Sequence, residues 1–564
     1  MIMDMLSKYL DAALPFIPLF GAAGLFLFWF RILPFSKGPS CDRTYVRYKH
    51  FYLMFGLFGL FLSLCVFAYN HFPRDVEKNL EAAFYRIGAE LGDAESQYKI
   101  GNMYRDGQGV DQDYGTAARW LHRSARHGYA FAQNNLGSMY YRGEGVAQDY
   151  RKAFYWTRKA AQKGSAISQN TIAVMYYRGQ GVAKDVSKAR ELFVKSAEKG
   201  NSIAQCYLGF IYEDGEGVPK DYAKAMEWYR NSADKGNASA QAAMGEMYGK
   251  GHGVPIDKAK ALELFRKSAD KGNSSAQNDL GMLYLKGEGV PQDDSAAIGW
   301  FRKAAAQENI DAQFNMGVMY EDGHGVPQDY ELAFEWYRKA ASQGDSSAQN
   351  KIGMMYSMGA GVPQDYARAV ECYMTSAGKG NPKAQYNLGV MYEKGRGAPQ
   401  DFTKALEWYQ KSADNGLPKA QYYLGSIYKE GKEIRQDYAK SEEWLFKAHK
   451  NGSKQALNTL AYLLIEQGKK LDDVRKLLEK AVETEPENAI YRDTLGWVMY
   501  KQGSYDEALK GLQKASELLP EDDTIRGHIA ETYVMLGDKA KAREHWSKAV
   551  ELRLHSMKRH EDDE

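Results

Sequence analysis

A glycine that recurs every 36 residues constrains the fold of this chain more than any other feature. The glycine, replaced once by alanine, occurs at Gly101, Gly137, Ala173, Gly209, Gly245, Gly281, Gly317, Gly353, Gly389 and Gly425. A fixed period of about 20 to 50 residues is typical of a solenoid, in which small units stack on their neighbours. The period therefore predicts an all-α protein with an extended binding surface and argues against an enzyme with a single pocket.

Residues 381–416 show the repeating unit well. Apolar side chains at helical spacing predict one helix over Ala384–Lys394 and a second over Phe402–Asp414. Helices of about 12 residues are marginal alone in water, so each must bury its apolar face on a neighbour. We expect stacked units to fold and single units to remain unfolded.

The residues between the two helices predict a tight turn and a helix cap. Gly-x-Gly follows the first helix in nine of the ten units, and Glu433 breaks the last one. An Asp precedes every second helix, where its carboxylate can accept backbone N–H groups. These caps are Asp113, Asp149, Asp185, Asp221, Asp257, Asp293, Asp329, Asp365, Asp401 and Asp437. Phosphate binding by the glycines and calcium binding by the aspartates are the weaker alternatives.

Two further patterns mark the second helix. Several of these helices end in Lys-Gly, which suits a helix C-terminus, as at Lys163, Lys199, Lys235, Lys271 and Lys379. A tryptophan, which we expect in the core opposite the recurring glycine, occurs at Trp120, Trp156, Trp228, Trp300, Trp336, Trp408 and Trp444.

The segment AQCYLGFIYEDGEGVPKDYAKAMEWYRNSADKG at 204–236 resembles the Sel-like repeat (SLR) family, and the resemblance extends from about 93 to 452. It implies ten repeats within residues 76–452, arranged as a right-handed α-α superhelix that acts as an adaptor for protein complexes. After Gly452 the period becomes 34, and residues 495–522 resemble the tetratricopeptide repeat (TPR). We expect three such repeats over 453–557 and a charged, frayed tail over 558–564.

The first 75 residues differ in composition from the rest. Residues 12–30 and 51–69 contain no charged side chain, and each is long enough to cross a bilayer as a helix. They predict two N-terminal transmembrane helices, with the lipid bilayer as a partner; a signal peptide followed by a buried helix is the alternative. Five Lys and Arg in the loop 31–50 place that loop in the cytoplasm and the repeats in the periplasm, at an inner membrane.

The sequence contains no signature of catalysis, metal binding or nucleic-acid binding. The net charge is +2, which gives no strong field for nucleic acid. The cysteines Cys41, Cys65, Cys206 and Cys372 lack zinc-ligand spacing. No phosphate loop or catalytic motif is present, so we expect no cofactor, no metal and no enzymatic activity.

The resemblance to TPR stacks implies that the first helices line a concave groove. Eight side chains of these helices are the candidate partner-binding residues: Phe210, Met282, Leu285, Phe314, Val318, Met354, Tyr386 and Val390. Apolar groups with a polar fringe favour a helix or extended peptide of a protein partner over 204–400. Half-buried packing against the adjacent unit explains the same residues, and both readings stay open.

The sequence thus favours a membrane-anchored scaffold that mediates protein–protein interactions in a bacterial envelope complex. A component of exopolysaccharide assembly or export is a narrower version, by analogy alone. A regulator with cytoplasmic repeats that bind a signalling protein is an alternative, and an enzyme acting on envelope glycans or peptides is the least favoured.

Overall fold

The computed structural model describes residues 74–431 and 433–562, and in this part of the chain it contains 27 α-helices and no strand. The all-α prediction is confirmed for these residues. The helices divide into two compact units, unit 1 ending at Lys271 and unit 2 beginning at Gly272. Unit 1 contains α1 Arg74–Glu90, α2 Ala94–Asp106, α3 Tyr114–Arg126, α4 Ala130–Arg142, α5 Tyr150–Gln162, α6 Ala166–Arg178, α7 Val186–Glu198, α8 Ser202–Asp214, α9 Tyr222–Ala233, α10 Ala238–Lys250 and α11 Lys258–Asp270.

Unit 2 continues the alternation of first and second helices. It contains α12 Ser274–Lys286, α13 Asp294–Ala305, α14 Ile310–Asp322, α15 Tyr330–Ser342, α16 Ser346–Met358, α17 Tyr366–Gly378, α18 Pro382–Lys394, α19 Phe402–Asp414, α20 Pro418–Glu430, α21 Tyr438–Lys450, α22 Lys454–Glu466, α23 Leu471–Thr484, α24 Ala489–Lys501, α25 Tyr505–Leu518, α26 Asp523–Met535 and α27 Lys539–Asp562. The last helix therefore runs through most of the predicted tail.

The recurring glycine allows the two helices of one repeat to cross closely, as predicted. Gly389 of α18 lies against Tyr409 of α19, which is fully buried. A Cβ added at Gly389 would lie 2.6 Å from Cε1 of Tyr409, closer than real Cβ contacts occur. The ring that faces the glycine thus belongs to Tyr409, the residue after Trp408. Trp408 itself is half buried, with Lys411 Nζ 4.1 Å from its ring centroid, so the register expected for tryptophan was wrong by one residue.

The predicted turn and cap chemistry is confirmed. All ten aspartates accept a backbone N–H from the first turn of their second helix, and Asp401 Oδ1 accepts from Lys404 at 2.9 Å. Gly395 ends α18 in the left-handed conformation, with φ 63°. Gly397 has a second role, because a Cβ there would collide with the Tyr366 carbonyl of the preceding repeat. Glu433 replaces that glycine in the last repeat and still adopts φ 64°.

Side chains tie each repeat to the one before it. Lys199 Nζ donates to the Gly164 carbonyl at 2.6 Å, and the pairs Lys163–Gly128, Lys235–Gly200, Lys271–Gly236 and Lys379–Gly344 repeat this bond. Gln421 at the start of α20 donates to the Ala413 carbonyl near the end of α19 at 2.9 Å. These bonds give carbonyls at and just beyond the ends of the second helices a side-chain donor from the next repeat.

The predicted membrane spans, residues 12–30 and 51–69, lie outside the described residues. Over 74–431 and 433–562, no helix combines the length and the apolar character needed to cross a membrane. A span needs about 20 apolar residues, whereas a typical repeat helix such as α15 has 13. The 24-residue α27 has four charged side chains among its first six residues. This finding contradicts the predicted inner-membrane location with periplasmic repeats, and we do not retain that location.

Candidate interaction groove

Four of the predicted groove residues occupy one position in consecutive repeats of unit 2. They are Met282 on α12, Val318 on α14, Met354 on α16 and Val390 on α18, and we call them the central row. All four side chains are half buried. Apolar side chains that stay partly accessible in register on adjacent helices can make contacts with another protein.

The side chains that flank the central row also support the core. Leu285, like Met282 of the central row, packs against a core cluster formed by α13 and α14. The Phe314 ring lies 5.3 Å from the ring of buried Tyr337, and the Tyr386 ring lies 5.4 Å from that of buried Tyr409. Phe314, Leu285 and Tyr386 are half buried. These residues therefore pack inward and keep part of their surface accessible, and their role in binding stays a prediction.

A buried tyrosine and a lysine bind the carboxylate at the end of α14. The Tyr337 hydroxyl donates to Glu321 Oε2 at 2.5 Å, and Lys351 Nζ on α16 lies 2.8 Å from the same oxygen. Burial, followed by the hydrogen bond to Glu321, raises the pKa of Tyr337 above its usual value. The hydroxyl keeps its proton, so it remains a donor and the groove presents little free charge at this point.

The next carboxylate, Glu393 of α18, is surrounded by tyrosines. Its Oε2 accepts from Tyr409 at 2.5 Å and its Oε1 accepts from Tyr423 of α20 at 2.6 Å. The Tyr386 ring lies 6.1 Å from the Tyr423 ring, and Lys419 Nζ lies 4.8 Å from the Tyr386 centroid. Both carboxylate oxygens are thus occupied, and the accessible surface here is aromatic.

Phe210, the one predicted groove residue in unit 1, also lies beside a buried tyrosine that donates to a glutamate, but this glutamate has fewer partners than its equivalents in unit 2. It is half buried, and its ring lies 5.4 Å from that of Tyr229, whose hydroxyl donates to Glu213 Oε2 at 2.6 Å. The position that Lys351 and Tyr423 hold in unit 2 is Ala243 here, so Glu213 has one hydrogen-bond partner among the described residues. Burial raises the pKa of the neighbouring Cys206 to about 12, which keeps that thiol protonated.

A buried polar cluster that was not predicted from the sequence lies on α22, α24 and α26. His528 Nδ1 lies 2.8 Å from Asp493 Oδ1, and the Tyr462 hydroxyl donates to Asp493 Oδ2 at 3.1 Å. The His528 ring stacks on Trp497 at 4.0 Å. A polar residue recurring 35 positions apart on apolar first helices is the signal that could have revealed the pair.

Within residues 74–431 and 433–562, no group of three or more His, Cys, Asp or Glu side chains could hold a metal ion.

Stacked helix pairs with a partly accessible row on their first helices define a repeat scaffold suited to protein–protein interaction. The chain belongs to the Sel1 repeat family. The Sel1 repeat model matches residues 94–129, 130–165, 166–201, 202–237, 238–273, 274–309, 310–345, 346–381, 382–417, 418–453 and 533–553.

The chain is similar to several known proteins. The crystal structure of c5321, a protective antigen present in uropathogenic Escherichia coli strains with an SLR fold, is 31% identical, covers 84% of this chain and 97% of that chain, and has a TM-score of 0.51. A Sel1 repeat protein from Oxalobacter formigenes is 33% identical over 55% of this chain and 89% of that chain, with a TM-score of 0.39. The TPR repeat-containing protein PA4667 of Pseudomonas aeruginosa is 32% identical over 76 residues, which are 14% of this chain and 13% of that protein.

Proposed function

We propose that this chain is a scaffold that holds a helix or an extended segment of a partner protein along the first helices of its repeats. The central row carries the proposal. Four consecutive repeats keep this position apolar and partly accessible, whereas the next repeat has Ser426 there. Since the repeat tolerates serine at this position, packing alone does not require the apolar side chains.

The electrostatics of the groove favour an apolar partner surface. Glu321 and Glu393 are bound by tyrosine hydroxyls, and Glu321 also pairs with Lys351. A partner that covered these groups would not have to desolvate a free carboxylate, which is a costly step. Phe210 of unit 1 belongs to the proposed surface by its equivalent position and its half-buried ring.

Site-specific photo-crosslinking tests the proposal in living cells. A photoreactive phenylalanine analogue at Val318 should capture a defined protein, whereas the same analogue at exposed Glu407 on a second helix should not. Replacing the central row with serine (M282S/V318S/M354S/V390S) should reduce partner affinity at least tenfold, measured by calorimetry with the captured protein. Equal capture at both positions, or unchanged affinity of the serine variant, would contradict the proposal.

We also propose that residues 453–557 form three TPR-type helix pairs that extend the scaffold. Three helix pairs in this region support the proposal, as does Gly496, where an added Cβ would lie 2.7 Å from Leu512 Cγ. The envelope and exopolysaccharide roles predicted above depended on the membrane location, so we do not propose them.

A further inference from the structure

Three consecutive repeats of unit 1 expose a large apolar side chain at the second residue of their first helix. Phe131 on α4, Ile167 on α6 and Ile203 on α8 are 62%, 62% and 51% exposed. We call these three residues the edge row. Single exposed apolar residues are common on protein surfaces, but three in register on adjacent helices form a patch that needs an explanation.

The other repeats provide an internal comparison for the edge row. The same position is polar or charged in all seven of them, at Glu95, Ser239, Ser275, Asp311, Ser347, Lys383 and Lys419. Folding of the repeat therefore does not require an apolar side chain there. Since more than half of each edge-row side chain is in contact with water, its contribution to the core is small. The Phe131 ring also lies 5.7 Å from that of Tyr129 and 6.0 Å from that of Tyr98. Contact with another molecule is a physical reason that applies to all three residues of the row.

The charges beside the edge row are mainly positive. Lys163, Lys199 and Lys235 donate to carbonyls that lie three residues before Phe131, Ile167 and Ile203, so these ammonium groups sit next to the row. The N-termini of the first helices add partial positive charge at the same edge. The last turns of the second helices and the residues that follow contain eight Lys and Arg and two acids: Arg123, Arg126, Lys159, Lys163, Lys195, Lys199, Arg230 and Lys235, with Glu198 and Asp234.

The helices that bear the edge row are direct neighbours. Ser168 Oγ of α6 lies 2.9 Å from Asn134 Oδ1 of α4, and the ring of Tyr177 on α6 lies 5.9 Å from that of Tyr207 on α8. Packed helices have axes about 10 Å apart. A helix lying across them advances about 1.5 Å per residue, so its apolar residues would meet the row at about every seventh position.

We propose that the edge row binds an acidic amphipathic helix of a partner protein. The partner places one large apolar side chain near each of Phe131, Ile167 and Ile203, and carboxylates between them face the lysines and the helix N-termini. This surface is separate from the central row, and the proposal does not depend on the function proposed for the groove.

A peptide-binding experiment with the full chain tests the apolar contacts. The probe is a 21-residue helical peptide with leucine at positions 4, 11 and 18 and glutamate elsewhere on the same face; a second peptide has lysine in place of glutamate. Fluorescence anisotropy should show at least tenfold tighter binding of the acidic peptide. The variant F131S/I167S/I203S should lose at least tenfold in affinity for it. The control I256S removes an apolar side chain of unit 1 that is 65% exposed and should bind like the wild type.

The serine variant should fold, because serine occupies this position naturally in Ser239, Ser275 and Ser347. Charge reversal at exposed Arg126 and Lys195 (R126E/K195E) gives a second readout, with a weaker affinity and a shallower dependence on salt. Equal affinity for the two peptides, or full affinity of the serine variant, would overturn the proposal. Binding to phosphatidylglycerol vesicles without binding to the acidic peptide would also overturn it, and would assign the row to a membrane surface.

Discussion

Units 1 and 2 are built from the same repeat but differ in which positions are apolar and accessible. The central-row position is apolar in four consecutive repeats of unit 2, whereas in unit 1 it is apolar only at Val174 and Phe210 and polar at Asn102, Ser138 and Glu246. Unit 1 has the edge row, whereas the equivalent residues of unit 2 are Ser275, Asp311, Ser347, Lys383 and Lys419. The comparison shows that one architecture can present apolar side chains at different positions in the two units.

The positions that do not differ between the units carry the fold. Gly209 of unit 1 and Gly389 of unit 2 each face a buried tyrosine, and Asp149 and Asp401 each cap a second helix. These groups satisfy backbone donors or allow close helix contact, which every repeat needs. The comparison therefore separates residues that build a repeat from residues that are free to vary with a partner.

The largest expected loss of stability comes from substituting the recurring glycine, and it should be the same in both units. Adding a methyl group by Gly209→Ala or Gly389→Ala forces Tyr229 or Tyr409 out of its packed position, since each ring is also held by a hydrogen bond to a glutamate. Overpacking of this kind costs about 1 to 3 kcal/mol. Native-state hydrogen exchange should show this loss of stability as reduced amide protection in the altered repeat and its neighbours.

The control for this prediction is Gly378→Ala. Gly378 ends α17, and a Cβ there would meet no atom within 4 Å. Alanine should leave stability unchanged or raise it by up to about 1 kcal/mol. A large loss at Gly209 with none at Gly389 would show that the two units do not share this crossing.

A smaller loss of stability, caused by removing the hydroxyl of the buried tyrosine, should differ between the units. Tyr229→Phe removes the hydrogen-bond partner of Glu213, whereas after Tyr337→Phe the carboxylate of Glu321 keeps Lys351 at 2.8 Å. We expect a loss of about 1 to 2 kcal/mol for Tyr229→Phe and less than about 1 kcal/mol for Tyr337→Phe. Urea unfolding monitored by hydrogen exchange in each unit measures both values. The reverse order would mean that Lys351 does not stabilise Glu321.

The smallest expected effect is a pH dependence of the aspartate helix caps, which should be common to both units. Backbone N–H donors lower the pKa of Asp149 and Asp401 below the ordinary value of 3.8. A lowered pKa in the folded state stabilises the fold above the unfolded pKa, and this contribution is lost as the pH falls through the folded pKa. We therefore expect protection of the Lys152 and Lys404 amides to fall below about pH 4.

Asparagine variants isolate the cap in this experiment. Asp149→Asn and Asp401→Asn keep an oxygen that can cap the helix but remove the titrating group. Their amide protection factors should vary less between pH 5 and pH 2 than those of the wild type. An unchanged pH profile would show that other carboxylates cause the acid sensitivity.

Much of the fold was predictable because each repeat is specified by local chemistry. The glycine period, the capping aspartates and the apolar stripes gave helices over Ala384–Lys394 and Phe402–Asp414, and the structure has Pro382–Lys394 and Phe402–Asp414. A helix boundary depends on residues within one turn of it, and those are visible in the sequence. The same reasoning identified the cap role of all ten aspartates.

The groove was less predictable because its properties depend on contacts between helices. The sequence placed Phe314 and Val318 on the accessible side of α14, but not the bond between Glu321 and Tyr337, which lies across a helix pair. Lys199 illustrates the same limit. Its place at a helix end was evident, whereas its partner, the Gly164 carbonyl, belongs to the preceding repeat. The residue that faces each glycine is the one after the tryptophan position. This, too, depends on how the two helices cross.

The bonds between neighbouring repeats have a consequence for synthesis. Hydrogen bonds between repeats join residues close in sequence; that between Tyr141 and Gln180, for example, spans 39 residues. A ribosome that adds about 5 to 20 residues per second completes one more repeat within several seconds. Local contacts form far faster than that. Once the first repeats have stacked, each new helix pair therefore finds its docking surface already made when it emerges, and the nascent chain can continue to fold without waiting for distant sequence.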